Sequence, residues 1–142
     1  MEPPVYGYSG KSLAAKLGIK PGHKIAAIQA PAGYLQWLGE LPAKLQWLET
    51  LVDGADIIHL FTNSIEELES LLPALGQHIF PDGTIWISWY KKSARIPTEL
   101  NEDIIRDTAL ALGLVDVKVC AVNDQWSGLK LVWRKELRKR PA

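Results

Sequence analysis

Ile57-Ile58-His59-Leu60-Phe61, then Ser64-Ile65-Glu66-Glu67, then Thr84-Ile85-Trp86-Ile87-Ser88-Trp89 are the stretches whose reading decides the fold. The first has the length and apolar density of a buried strand. Ser64 and Glu67 stand three residues apart as a capping box, which satisfies amides that a helix start leaves unpaired. Ile65, Leu68, Leu71, Leu72 and Leu75 recur at helical spacing behind it, so a helix follows the strand. Phe80-Pro81-Asp82-Gly83 has the composition of a turn, and residues 84–89 carry the β-branched and aromatic content of a strand buried on both faces. Trp86 and Trp89 point to opposite faces of that strand by alternation, which calls for helices on both sides of the sheet.

The same punctuation extends in both directions. Residues 11–17 followed by Gly18 read as a short helix with a serine cap, for which Ser9 is the candidate. Residues 24–28 form a compact apolar run of strand length. After Pro31-Ala32-Gly33, Tyr34, Leu35, Trp37, Leu38 and Leu41 fall mostly on one helical face until Pro42. Residues 43–52 suit a helix or a strand equally. Only residues 53–56 separate them from the next strand, too few for a parallel crossover, so a covering helix or an antiparallel partner is expected. Asn101 caps a helix that Gly113 ends, and residues 117–122 and 129–133 make an antiparallel hairpin. The expectation is an α/β three-layer sandwich with a mostly parallel sheet and an antiparallel C-terminal hairpin, one domain over residues 1–133 with a basic, frayed tail at 134–142.

At 142 residues, 47% hydrophobic and 23% charged, the composition is that of one globular domain. A chain of this size buries roughly 70% of its unfolded surface and needs no disulfide or metal to fold. The single cysteine, Cys120, and the start Met1-Glu2-Pro3-Pro4 point to a cytoplasmic protein, and no run approaches a membrane span. Formal charge is zero, which argues against nucleic acid as a partner. Residues 134–140 nevertheless hold five basic groups and one acid, leaving 11 basic against 15 acidic groups in residues 1–133.

Leu71-Leu72-Pro73-Ala74-Leu75, Phe80-Pro81-Asp82-Gly83, the strand at 84–89 and the terminal hairpin together resemble the second half of a class I S-adenosylmethionine-dependent methyltransferase. Gly7-Tyr8-Ser9-Gly10, Leu17-Gly18-Ile19-Lys20-Pro21-Gly22 and, above all, residues 113–122 with Trp126-Ser127-Gly128-Leu129-Lys130 resemble a family of short bacterial proteins of unknown function. The first resemblance implies a Rossmann-like fold. The second carries over no catalytic residue. A nucleotide-type cofactor needs bare backbone amides after the first strand, and there the chain offers Gln29-Ala30-Pro31-Ala32-Gly33-Tyr34, with one glycine and a proline. No cofactor is expected.

The remaining motifs yield little chemistry. Gly10-Lys11-Ser12 lacks the earlier glycine and strand of a phosphate loop, and Gly7-Tyr8-Ser9-Gly10 lacks the second glycine of a nucleophile elbow. His23, His59 and His78 share no metal-ligand spacing. His59, set in a strand covered on both faces, must find a hydrogen-bond partner, and Cys120, with no flanking positive cluster in the sequence, reads as an inert thiol. Trp126 sits in a polar loop, either folded over the hairpin or offered to a partner. Ligands of open α/β sheets lie beyond the carboxyl ends of the parallel strands. That rule gathers Gln29, Gly33, Tyr34, Thr62, Asn63, Tyr90, Lys91 and Lys92 as candidate ligand-binding residues, suited to an anionic small molecule. The expected function is a noncatalytic methyltransferase-like domain that binds a partner or such a molecule. Two alternatives are a degenerate enzyme using Lys91, Lys92 or His59, and a homodimer or complex subunit joined through an open terminal strand.

Overall fold

The computed structural model describes residues 11–51 and 54–138. Its strands are β1 (Lys24–Ile28), β2 (Gln46–Trp47), β3 (Ala55–Phe61), β4 (Ile79–Tyr90), β5 (Leu114–Ala121) and β6 (Trp126–Trp133), in one sheet of order β2-β1-β3-β4-β6-β5. The first four are parallel, and β6 runs antiparallel to both β4 and β5. Helices α3 (Ile65–His78) and α4 (Glu102–Leu112) cover one face with an aliphatic core that includes Ile58, Leu68, Leu72, Ile87, Ile105 and Leu131. The short helices α1 (Leu13–Leu17) and α2 (Tyr34–Leu38) cover part of the other, around Leu13, Leu17, Ile57, Phe61 and Trp86. The three layers and the antiparallel edge follow the sequence. Trp86 and Trp89 pack on opposite faces, as alternation requires.

Caps fix the helix starts. Ser64 accepts from the amide of Glu67 at 3.1 Å and Asn101 from that of Ile104 at 2.9 Å. The hydroxyl at the start of α1 belongs to Ser12, which accepts from Ala15 at 3.1 Å; Ser9 lies outside the described residues. Gly39 ends α2 at Leu38, one turn earlier than Pro42 would.

Three readings of the sequence are corrected. Of residues 43–52, the described ones, 43–51, form neither a covering helix nor an antiparallel partner, because Gln46 and Trp47 pair in parallel with Lys24 and Ile25 of β1. The crossover is made by α2. The short link onward to β3 suffices because β2 is only two residues long and ends level with Ile25, which itself pairs with Ile57 near the start of β3. Phe80-Pro81-Asp82-Gly83 is not a turn between elements but an excursion within β4. Ala55 pairs with Ile79 and Ile57 with Thr84, so these four residues bulge opposite Asp56. A side chain at Gly83 would come within 2.8 Å of the Asp56 carbonyl, so the bulge needs a glycine there. The last strand, β6, lies inside the sheet, and the outer edge at that end is β5.

Candidate functional site

The strand order reverses between β1 and β3, since the chain passes from β1 outward to β2 and then back across β1 to β3. In open α/β sheets that switch point is where a ligand-binding crevice forms. Here a side chain spans it. Gln29, with φ of 59°, swings its amide across the mouth, where Nε2 donates to the Phe61 carbonyl at 2.8 Å and to Glu67 Oε1 at 2.6 Å. Glu67 therefore spends its carboxylate on Thr62 and Gln29, whose hydrogen bonds hold it below the usual carboxylate range. Only half of the expected capping box is present, and the amide of Ser64 turns instead to Thr62 Oγ1.

The neighbouring candidates tie the strand ends together. Thr62 is buried and its amide donates to the Ser88 carbonyl at 3.0 Å. Asn63 Oδ1 accepts from the Tyr90 amide at 2.8 Å, and its carbonyl accepts from Glu99. The Tyr90 ring packs on Trp126 at 4.3 Å. The amide of Lys91 donates to the Gln125 carbonyl, and Lys92 opens the 3-10 turn Lys92–Ala94. Trp126 itself is 7% exposed, edge-on to Phe61, with Asn123 Oδ1 accepting from its amide, so its ring is folded into the hairpin core.

Beneath the crevice lies a buried polar chain. The Tyr34 hydroxyl is 2.8 Å from His59 Nδ1, and His59 Nε2 is 2.6 Å from Ser88 Oγ. His59 also stacks on Phe61 at 4.2 Å between ring centres. Its imidazole is inaccessible, and burial pushes its pKa down to about 3, so it is neutral at physiological pH. Burial likewise lifts the Tyr34 hydroxyl far above the ordinary phenol range. A neutral histidine carries one N–H, so the proton order along Tyr34, His59 and Ser88 has two consistent directions. In either direction each of the three makes a hydrogen bond. Ser88 and His59 have the spacing of a nucleophile and base, but both are fully buried, and the arrangement works as a core polar network.

One open concavity lies on the α3 side of Gln29, where Ser64, Glu67 and Ser70 line it with that residue, and another lies to the other side. A groove of about 620 Å³ runs between α2 and Trp47, lined by Ala27, Ala30, Pro31, Gly33, Leu35 and their neighbours Tyr34 and Gln36. Leu35 is 59% and Trp47 40% exposed. The groove is apolar, with no charged group among these residues. Of the eight residues gathered from the sequence, Gly33 and Tyr34 line it, Gln29 spans the crevice, and the other five belong to the strand-end ties and the 3-10 turn. Gly33 has φ of 92°, and a side chain there would press within 3.1 Å of the Trp37 indole. The first acid after β2, Glu49, lines a separate cavity on the α3 side, with Leu71, Ala74 and His78.

Trp47 and Leu35 are what sequence reading missed. Their signal was exposure, which no periodicity reveals. Two smaller expectations are refined as well. His59 finds the hydrogen-bond partners that its position demanded, while Cys120 is half-buried with Lys16 and Lys118 nearby in space. Burial raises its thiol pKa and those two lysines pull the other way. Among the described residues no cluster of histidine, cysteine or carboxylate could hold a metal, and no helix is long and apolar enough to cross a membrane.

No protein-family model and no curated protein matches the chain. Solved structures do. A SAM-dependent methyltransferase from Aquifex aeolicus superposes with a TM-score of 0.61 at 14% identity, over 89% of each chain. A TehB-like SAM-dependent methyltransferase from Corynebacterium glutamicum gives 0.55 at 15% identity over 90% of each chain. The magnesium protoporphyrin IX methyltransferase of Synechocystis, solved with bound SAM, gives 0.56 at 12% identity over 86% of this chain and 74% of that one. At these identities the likeness is one of fold, which is Rossmann-like and methyltransferase-like.

Proposed function

We propose that this is a noncatalytic, methyltransferase-like binding domain that takes a flat apolar group, from a small molecule or a partner's side chain, in the groove between α2 and Trp47. The observation that carries the reading is the Gln29 amide across the switch-point crevice, bound to Phe61 and Glu67 where a nucleotide-like ligand of this fold would need open backbone donors. Pro31 adds to it by lacking an amide hydrogen, and Glu49 by lining the opposite cavity, away from any ribose set against Ala30. The groove's aliphatic and indole walls favour dispersion and desolvation over charge recognition. The lysines at 91 and 92, which would suit an anion, lie with the hairpin turn and not among the lining residues.

The test is a pair of titrations on the intact chain. Anilinonaphthalene sulfonate and small indoles should bind saturably, perturbing the Trp47 indole and the amides of residues 30–36 in heteronuclear NMR. S-adenosylmethionine and S-adenosylhomocysteine should leave the unfolding temperature unchanged. Saturable cofactor binding accompanied by methyl transfer to any acceptor would overturn the noncatalytic reading.

A further inference from the structure

The uncovered end of the α1 face carries a row of lysines that the fold leaves without acids. Lys118 of β5 stands directly across from Lys130 of β6, and Lys130 across from Trp86 of β4. Like charges directly opposed across an antiparallel pair repel. The Lys118 ammonium leans inward to 6.0 Å from the Trp86 ring. Trp86 in turn donates its indole N–H to the Leu17 carbonyl, which brings the last turn of α1 over the same spot. Lys16 reaches the Ala121 carbonyl at 3.5 Å. Lys130 is half-buried, and desolvation followed by Lys118 and Lys20 holds its ammonium below the ordinary lysine value, as expected where four cations converge.

A bulge in β5 removes the acid that regular alternation would supply. In an unbroken strand Asp116 and Lys118 would share a face. Asp116 pairs with Leu131 and Lys118 with Lys130, so Val117 is an extra residue that throws the two side chains to opposite faces. Asp116 then faces α4 and takes Arg106 Nε at 3.0 Å. Neither α1, nor the turn at 18–23, nor β6 contains any acid. Among the described residues, no ion pair includes any of the four lysines.

β5 is also the outer edge of the sheet, with nothing paired beyond it among the described residues. Val117 is 53% and Val119 45% exposed, and Val119 lies on the α4 face because it pairs with Leu129. A strand added to this edge would set alternate side chains beside the lysine row and beside Val119. We propose that β5 is a docking edge for an extended segment of another protein in which acidic and apolar residues alternate. A second copy of this chain does not fit. Two β5 strands paired about a two-fold axis would keep the same face uppermost and place the lysine rows side by side. This edge lies at the opposite end of the sheet from the Trp47 groove and is independent of the function proposed for it.

The test uses the whole chain and a labelled, end-capped octapeptide of alternating Asp and Val, followed by fluorescence anisotropy and by NMR of the β5 amides. Two probes of the same nominal charge serve as controls: the octapeptide with Pro in place of Val, which cannot pair as a strand, and a five-nucleotide single-stranded DNA without terminal phosphates. Saturable binding of the Asp-Val peptide is expected, with shifts confined to residues 115–121 and their neighbours. Lys118→Glu should weaken it at least tenfold while raising the unfolding midpoint, because a repelling cross-strand pair becomes an attracting one. That opposite movement separates lost recognition from lost folding. The proposal is overturned if the Asp-Val peptide does not bind, if the Asp-Pro peptide or the DNA binds equally well, or if the β5 shifts arise from dimerisation without peptide.

Discussion

Two of the concavities beside β1 are treated by the chain in opposite ways. The crevice between β1 and β3 is the position the architecture offers to a ligand, and it is spanned by Gln29 and anchored to Glu67 and Phe61. The groove beside Trp47 lies one strand further out, past the carboxyl end of β1 and against β2, and it stays open and apolar. Topology sets where a sheet can bind, while a few side chains decide whether it does. Gln29 accepts a left-handed backbone to span the crevice, a conformation that costs a non-glycine residue of order 1 kcal/mol and that its two hydrogen bonds offset.

The largest test removes the floor that the two share. Tyr34 lines the groove, Phe61 accepts from Gln29, and both pack on His59. His59→Ala leaves a cavity and strands the Tyr34 and Ser88 hydroxyls, which should cost about 3–5 kcal/mol in denaturant unfolding. The same residue sets an acid limit. Its folded pKa of about 3 lies below the unfolded value of 6.5, so as pH falls between them the unfolded chain takes up a proton that the folded chain refuses. Stability is therefore level above that window and declines within it, by roughly 2–3 kcal/mol at about pH 4.5. His59→Gln should flatten that part of the pH profile. An unchanged acid limb would mean that His59 is not held as a neutral, fully buried imidazole between Tyr34 and Ser88.

A smaller effect separates the two concavities. Gln29→Ala opens the crevice and loses two hydrogen bonds at an exposed position, for about 1 kcal/mol. It should also let the Glu67 pKa climb partway toward its ordinary value, with the Thr62 bond still in place, measurable by NMR titration of the carboxylate. Groove binding should not change. If the variant instead gains affinity for S-adenosylhomocysteine, the single amide was all that closed the site, and Pro31 contributes nothing to its exclusion.

How far the sequence could be read follows the range of the forces involved. Caps such as Ser64 and Asn101, and the helical stripe from Ile65 to Leu75, are local and were legible. The parallel pairing of Gln46 and Trp47 was not, because a two-residue strand has no periodicity and is held by its pairing to β1. Phe80-Pro81-Asp82-Gly83 has turn composition, yet long pairing on both sides of it overrides that preference. The glycine-poor bend was visible as composition, whereas its closure by Gln29 depended on a contact with Glu67, 38 positions away. The lysine row was invisible for a like reason: Lys118 and Lys130 meet through strand register, shifted by a bulge that no residue type announces.

Trp47 gives the smallest and most discriminating effect. It is 40% exposed on a strand with only two paired residues, so it contributes little to the core, and Trp47→Ala should cost less than about 1 kcal/mol. A buried tryptophan removed from a packed interior would cost about 3–5 kcal/mol, so the two outcomes are well separated. Near-native stability joined to a tenfold or greater loss of indole binding assigns the ring to recognition. A cost above about 2 kcal/mol would instead make it a structural cover of the sheet edge and the groove a packing gap, and the contrast between the closed crevice and the open groove would then lose its functional meaning.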